Sequence, residues 1–164
     1  YSSELAAQVG MGFAFAHHFA SYDAIAALTS YRDHFKPSGW RTTPHGILAV
    51  AAVAAETDAE AEQLASSMDL NRLRRDRGQY LPLPSVEEAL AYNYSDAERA
   101  SVMRNRARLF VGSPATIMAK LEPMITAGKP DELMIITAVY DHDARKKSYS
   151  LLADAFGLGK KAAA

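Results

Sequence analysis

The sequence predicts an α/β fold: about four parallel β-strands, each followed by a helix, amounting to half of a (β/α)8 barrel. Three observations lead there. Short apolar or aromatic runs of strand length alternate with capped, amphipathic stretches of helix length, the pattern of strand–crossover–strand units. The run 46–55, GILAVAAVAA, is apolar throughout rather than alternating, as parallel strands covered on both faces are. The first helical stretch has no strand before it, so the series reads as beginning inside a unit. Four units are half of a complete barrel, which takes ~250 residues.

Taken in order, Ser2 and Ser3 precede ELAAQV and Gly10 follows it. This predicts a short helix with a hydroxyl N-cap, an acidic first turn and a glycine stop. The stretch 13–17, FAFAH, is too short for a helix and reads as a buried strand. Residues 21–35 place Tyr22, Ile25, Leu28, Thr29, Arg32 and Phe35 on one helical stripe, ended by Lys36-Pro37-Ser38-Gly39. After the strand 46–55, Thr57 with Glu60, Ser85 with Glu88 and Ser95 with Glu98 each form a capping-box pattern opening a helix. Between the first two lies Tyr80-Leu81-Pro82-Leu83-Pro84, whose prolines forbid a helix. Residues 108–111 read as a strand, Ser113 as an N-cap and Pro114 as the first residue of a helix that Gly128 stops. The apolar run 133–140 reads as the last strand, and 142–156 as the last helix, ending at Gly157. Residues 1–158 are thus expected to be one half-barrel domain, and 159–164 a disordered or frayed tail.

Composition narrows the function classes. The 164 residues are 49% hydrophobic and 23% charged, with a net charge of −1. Nothing in that balance favours nucleic acid or an anionic membrane. The run Arg72, Arg74, Arg75 and Arg77 has no interleaved aromatics to stack bases and reads as a solvated helix end. The absence of cysteine removes disulfides, thiolate catalysis and cysteine metal sites, and fits a cytoplasmic protein. No apolar run approaches the ~20 residues of a membrane helix, and the start YSSE has no basic segment before an apolar one.

In parallel α/β folds, function gathers at the carboxyl ends of strands. The candidates there are His17-His18, Glu56-Thr57, Gly112-Ser113 and Tyr140-Asp141-His142. Adjacent His17 and His18 point to opposite faces and do not chelate one metal easily. One of them either faces a ligand or packs against a helix, and both readings stand. Ser2-Ser3 at a helix start is either an anion site through its amides or a simple cap. Ser113 is first a cap, Glu56 a solvated helix start, and Tyr140 a packing residue. No dinucleotide fingerprint, phosphate loop, nucleophile elbow or HExxH metal motif occurs.

Three stretches carry a family resemblance. Residues 1–19, YSSELAAQVGMGFAFAHHF, resemble the stretch of bacterial-luciferase-like monooxygenases that reads SAELAAQLGLPFAFAHHF. Residues 80–89, YLPLPSVEEA, are similar to their PLPSPEEA insertion, and RLFVGSP at 108–114 with DELMI at 131–135 resembles their closing pattern. The resemblance runs to about Leu158. It implies the C-terminal half of a (β/α)8 TIM barrel and a flavin-dependent monooxygenase. In that chemistry reduced FMN, supplied with NAD(P)H, reacts with O2 and an organic substrate is oxidised. It implies cofactor contacts at Tyr1 and Ser2 for the FMN phosphate and at Ala16 and His17 beside the flavin ring, with no catalytic residue assigned and no metal. The implied partners are the missing N-terminal half of the barrel, a second copy as a homodimer, O2 and a small organic substrate, without nucleic acid or membrane. The half alone is expected to bind FMN poorly and to be inactive. Two alternatives remain: an F420-dependent relative, and a non-catalytic half-barrel acting in assembly.

Overall fold

In the computed structural model, which describes residues 1–20 and 22–158, eleven elements follow one another. They are α1 (Ser2–Val9), β1 (Phe13–Ala16), α2 (Ala24–Asp33), β2 (Gly46–Ala54), α3 (Asp58–Asp76), α4 (Val86–Ala91), α5 (Asp96–Arg106), β3 (Leu109–Gly112), α6 (Pro114–Gly128), β4 (Glu132–Ile136) and α7 (His142–Ala155). The tail expected at 159–164 lies outside the described residues. The chain forms an α/β fold with a four-stranded sheet, ordered β1-β2-β3 with β4 also on β2. Its contacts cluster into two compact units: Tyr1–Ala51 with Lys120–Ile136, and Ala52–Ala119 with the segment from Thr137 onward.

The first unit is built on the first part of β2. β1 pairs with it in parallel, Phe13 opposite Gly46 through Ala16 opposite Ala49. β4 takes the other edge, also in parallel, Glu132 beside Ile47 through Ile136 beside Ala51. With both edges used, β2 is buried almost throughout, as its unbroken apolar run predicts. α1 ends at Gly10, whose φ of 68° is left-handed; a Cβ there would come within 2.5 Å of the Lys36 carbonyl oxygen. α2 is capped by Asp23, whose carboxylate accepts from the Ile25 and Ala26 amides. It buries Ala24, Ala27, Leu28 and Tyr31. The stripe expected from sequence is therefore rotated. Tyr31 belongs inside because its hydroxyl finds two partners, donating to the Met11 carbonyl (2.8 Å) and accepting from the His45 amide (2.9 Å).

The second unit holds the end of β2 with α3, α4, α5, β3, the start of α6 and α7. Past the point where β4 stops, two side chains satisfy β2's backbone. The Thr137 hydroxyl donates to the Ala52 carbonyl (2.7 Å), and the buried Ser148 hydroxyl of α7 accepts from the Ala54 amide (2.9 Å). Ala55 donates to the Gly112 carbonyl at 3.3 Å, where β3 follows. Of the three capping-box patterns, the reciprocal pair is formed at Ser95–Glu98. Thr57 and Ser85 accept from their N3 amides, but Glu88 is drawn away to Arg74 at 2.6 Å.

Two more expectations change. α1 begins at Ser2 itself, so Tyr1 is the N-cap position and neither Ser2 nor Ser3 caps with its side chain. The last strand, read as 133–140, is only Glu132–Ile136 and is not covered: Met134 is 52% and Ile136 39% exposed. The apolar residues past it are used differently, with Val139 buried and Tyr140 exposed.

Candidate functional site

The carboxyl end of β1 and the start of α1 open onto one cleft of about 240 Å³ within the first unit. Its walls are Ser2 together with Phe13, Phe15, Ala16, Phe19 and Tyr22. α1 supplies its polar corner. The first intrahelical bond runs from the Leu5 amide to the Tyr1 carbonyl, so the amides of Ser2, Ser3 and Glu4 have no partner inside the helix. A helix start of this kind presents N–H donors and the positive end of the dipole to an anion.

β1 supplies the apolar wall. Phe13 and Phe15 are buried, and their alternation sends Ala14 and Ala16 the other way. Phe15 meets Tyr22 edge-on with ring centres 5.2 Å apart. Beyond Ala16 the chain turns sharply, both the Phe19 and the Ala20 amides donating to the Ala16 carbonyl at 3.0 Å. That turn leaves Phe19 78% exposed on the cleft, with its ring 4.2 Å from the ring of His18.

The structure brings Ser2 and Ala16 into this one cleft. Tyr1 sits at the start of α1, 93% exposed. His17 is half-buried in the turn just after β1, its backbone amide donating to the Ala49 carbonyl of β2 (2.9 Å). Neither Tyr1 nor His17 lines the cleft. His18 makes the second contact to the Ala49 carbonyl, Nδ1 lying 3.3 Å away. A carbonyl only accepts, so Nδ1 carries the proton in this contact. Phe19 and Tyr22 were not singled out from sequence. Their signal was present in the aromatic spacing through FAFAHHF and on to Tyr22, but exposure of a turn residue is not readable from spacing.

Tyr140, expected to pack, is 56% exposed; the other candidates are engaged in structural contacts. Ser113 caps α6, accepting from the Thr116 amide at 3.4 Å. Its own amide donates to Asp58 Oδ1 (2.6 Å), and the Thr116 hydroxyl donates to Asp58 Oδ2 (3.0 Å). A side-chain carboxylate from α3 thus already sits at this helix start, where a phosphate would otherwise be received. Glu56 pairs with Lys147 at 3.1 Å. Asp141 caps α7 through the Ala144 amide (2.7 Å), and His142 Nδ1 lies 2.9 Å from Arg145. Among the described residues, no group of three or more His, Asp and Glu is placed to hold a metal, and no helix is long and apolar enough to cross a membrane.

No family model matches the chain. Individual relatives do. The uncharacterized protein YceB of Bacillus subtilis (strain 168) is 35% identical over 155 residues, 94% of this chain and 47% of the relative. A luciferase-like monooxygenase of Escherichia coli (strain K12) is 33% identical over 154 residues, 94% of this chain and 46% of that protein. The crystal structure of apo-MsnO8 superposes with a TM-score of 0.85 at 30% identity, covering 97% of this chain and 49% of that one. The oxygenating constituent of a 3,6-diketocamphane monooxygenase from Pseudomonas putida, solved with FMN, shares the fold at TM-score 0.54 and 18% identity. It covers 94% of this chain and 44% of that one. The chain spans about half the length of the relatives it matches, and over that span it is similar to luciferase-like monooxygenases.

Proposed function

We propose that the chain is the C-terminal half of a flavin-dependent monooxygenase barrel, and that the cleft at Ser2 and Ala16 holds one edge of FMN. The observation that carries the reading is the meeting, in one cleft, of a helix start rich in free amides with an aromatic, apolar wall at a strand's carboxyl end. The residues fit part of the cofactor. The Ser2 hydroxyl and the amides of Ser2, Ser3 and Glu4 suit the phosphate, with Tyr1 beside them at the N-cap. Ala16 adds little bulk and lets a flat ring approach the strand end, while Phe15, Phe19 and Tyr22 keep water from it. His17, in the following turn, is proposed to border the ring once the rest of the site is present. The cleft is smaller than the ~300–1,000 Å³ of complete small-molecule sites. This supports a partial site, completed by the N-terminal half of the barrel.

When bound, FMN reduced at the expense of NAD(P)H supplies the electrons for reaction of O2 with an organic substrate. The chain's own contribution is binding and orienting that cofactor and excluding solvent. β4, paired with β2, leaves an apolar face open at Met134 and Ile136, which the rest of a closed barrel would help to cover. The full-length protein is proposed to act in the cytoplasm, as a homodimer. Fluorescence titration of the full-length protein with FMN and with F420, followed by NAD(P)H-dependent oxygen uptake, tests the reading. Ser2→Ala is expected to weaken FMN binding about tenfold, the worth of a hydrogen bond to a charged group. Binding of neither cofactor would return the chain to a non-catalytic role in assembly, and F420 binding alone would move it to the deazaflavin relatives.

A further inference from the structure

A larger cavity, about 530 Å³, lies in the second unit among α3, α4 and α5, in elements that the flavin reading does not use. Its floor is Ala89, 1% exposed, in a cluster with Leu70 and Leu73 against which Tyr92 and Tyr94 pack. Its inner wall carries Asp69, only 8% exposed, whose two carboxylate oxygens accept from Arg106 at 2.7 and 2.8 Å. That carboxylate is neutralised in place and offers no free charge to a ligand. The rim differs in kind. Leu90 is 60% and Met103 73% exposed, and the half-buried Val102 lines the cavity with them.

One cation lines the cavity without a counter-charge. Around it Arg74 pairs with Glu88, Arg77 with Glu98 and Arg106 with Asp69, each at 2.6–2.7 Å. Arg99 has no such ion pair among the described residues and instead lies over the Tyr94 ring, 6.0 Å from its centre. A guanidinium held on an aromatic face keeps its N–H edge available to an anion. We infer that this cavity binds a small amphipathic carboxylate. Its acid group would sit on Arg99 and its apolar body between Leu90, Val102 and Met103. The size suits a ligand of that class, and the exposed apolar rim gains by being covered.

The probe is hexanoate, with hexanol and hexylamine as neutral and cationic counterparts of the same chain length, added to the full-length protein and followed by saturation-transfer NMR and calorimetry. The expected order is hexanoate above hexanol above hexylamine. Arg99→Gln, at an exposed helix position, is expected to weaken hexanoate about tenfold and leave hexanol unchanged, because only the charge-assisted bond is lost. Leu90→Asp is expected to weaken both hexanoate and hexanol. If hexanoate fails to bind, or binds wild type and Arg99→Gln alike, the inference is overturned. Because FMN titration of the same sample reads a different cleft, loss of one result leaves the other standing.

Discussion

Tyr31 shows how a single hydroxyl can organise a loop. Its oxygen bridges Met11, two residues before β1, and His45, the residue before β2. Tyr31→Phe keeps the packing and strands a carbonyl and an amide, so a loss of about 1–3 kcal/mol is expected in denaturant unfolding. Glu98 gives a pH signature. The Ser95 amide, then the Tyr92 hydroxyl and the Ser95 hydroxyl, hold its carboxyl down at about 2, with Arg77 adding to the effect. A depressed carboxylate stabilises the fold above its unfolded value, near 4.5, and that stability is lost as pH falls toward about 2. Unfolding followed between pH 5 and 2 is expected to show a shallower acid limb in Glu98→Gln than in wild type. Burial pushes Asp69 the other way, raising it despite the opposing hydrogen bonds and charge of Arg106. Arg106→Met is expected to cost about 3 kcal/mol by leaving that carboxylate unpaired. Glu62, the exposed third member at 3.0 Å, is worth under ~1 kcal/mol. None of these pairings is visible in sequence, because Asp69 and Arg106 are brought together by the packing of α3 on α5, not by spacing.

At the scale of elements, the chain order of strands and helices was legible, and so was nearly every helix end. Local chemistry writes those signals: Gly157 past α7, Pro114 at the first turn of α6, and hydroxyls at Thr57, Ser85 and Ser95. What failed was local signal answered by a distant partner. α6 does end at Gly128, but the left-handed turn expected of the glycine falls one residue on, at Lys129 with φ 44°. The start of α1 looked capped because Ser is a good cap, yet the helix reaches back to include both serines. β4 looked buried because it is apolar, and burial depends on what lies across from it. The β3–α6 turn is the element most sensitive to one added atom. Gly112 has φ 148°, and a Cβ there would lie 2.7 Å from Thr116 Cγ2 and 2.8 Å from Asp58 Oδ1. Gly112→Ala is expected to lower stability by about 1–3 kcal/mol in thermal or denaturant melts.

On the scale of the molecule, the likeness to luciferase-like monooxygenases was readable from the long stretch 1–19, and a span of about half the relatives' length from counting strand–helix units. The cleft was readable only in part: Ser2 and Ala16 came from the resemblance, whereas the aromatic wall of Phe19 and Tyr22 needed the fold of the turn. A chain of 164 residues with Met134 and Ile136 open on β4 has an apolar face to cover. Residues 1–164 expressed alone are expected to elute in size-exclusion chromatography above monomer size. Met134→Lys on the same face is expected to shift them toward monomer. A wild-type monomer at all concentrations would show that this face needs no cover.

Asp58 has a further meaning beyond the turn it braces. A carboxylate tethered against the Ser113 amide behaves as a built-in competitive inhibitor, present at an effective concentration of about millimolar or more, which dissolved anions must outbid. Asp58→Ala vacates that seat and converts the start of α6 into a receptor for inorganic phosphate. Phosphate should then raise the melting temperature of the variant and leave the wild type unmoved. The start of α6 is thus sealed from within by a side chain of α3.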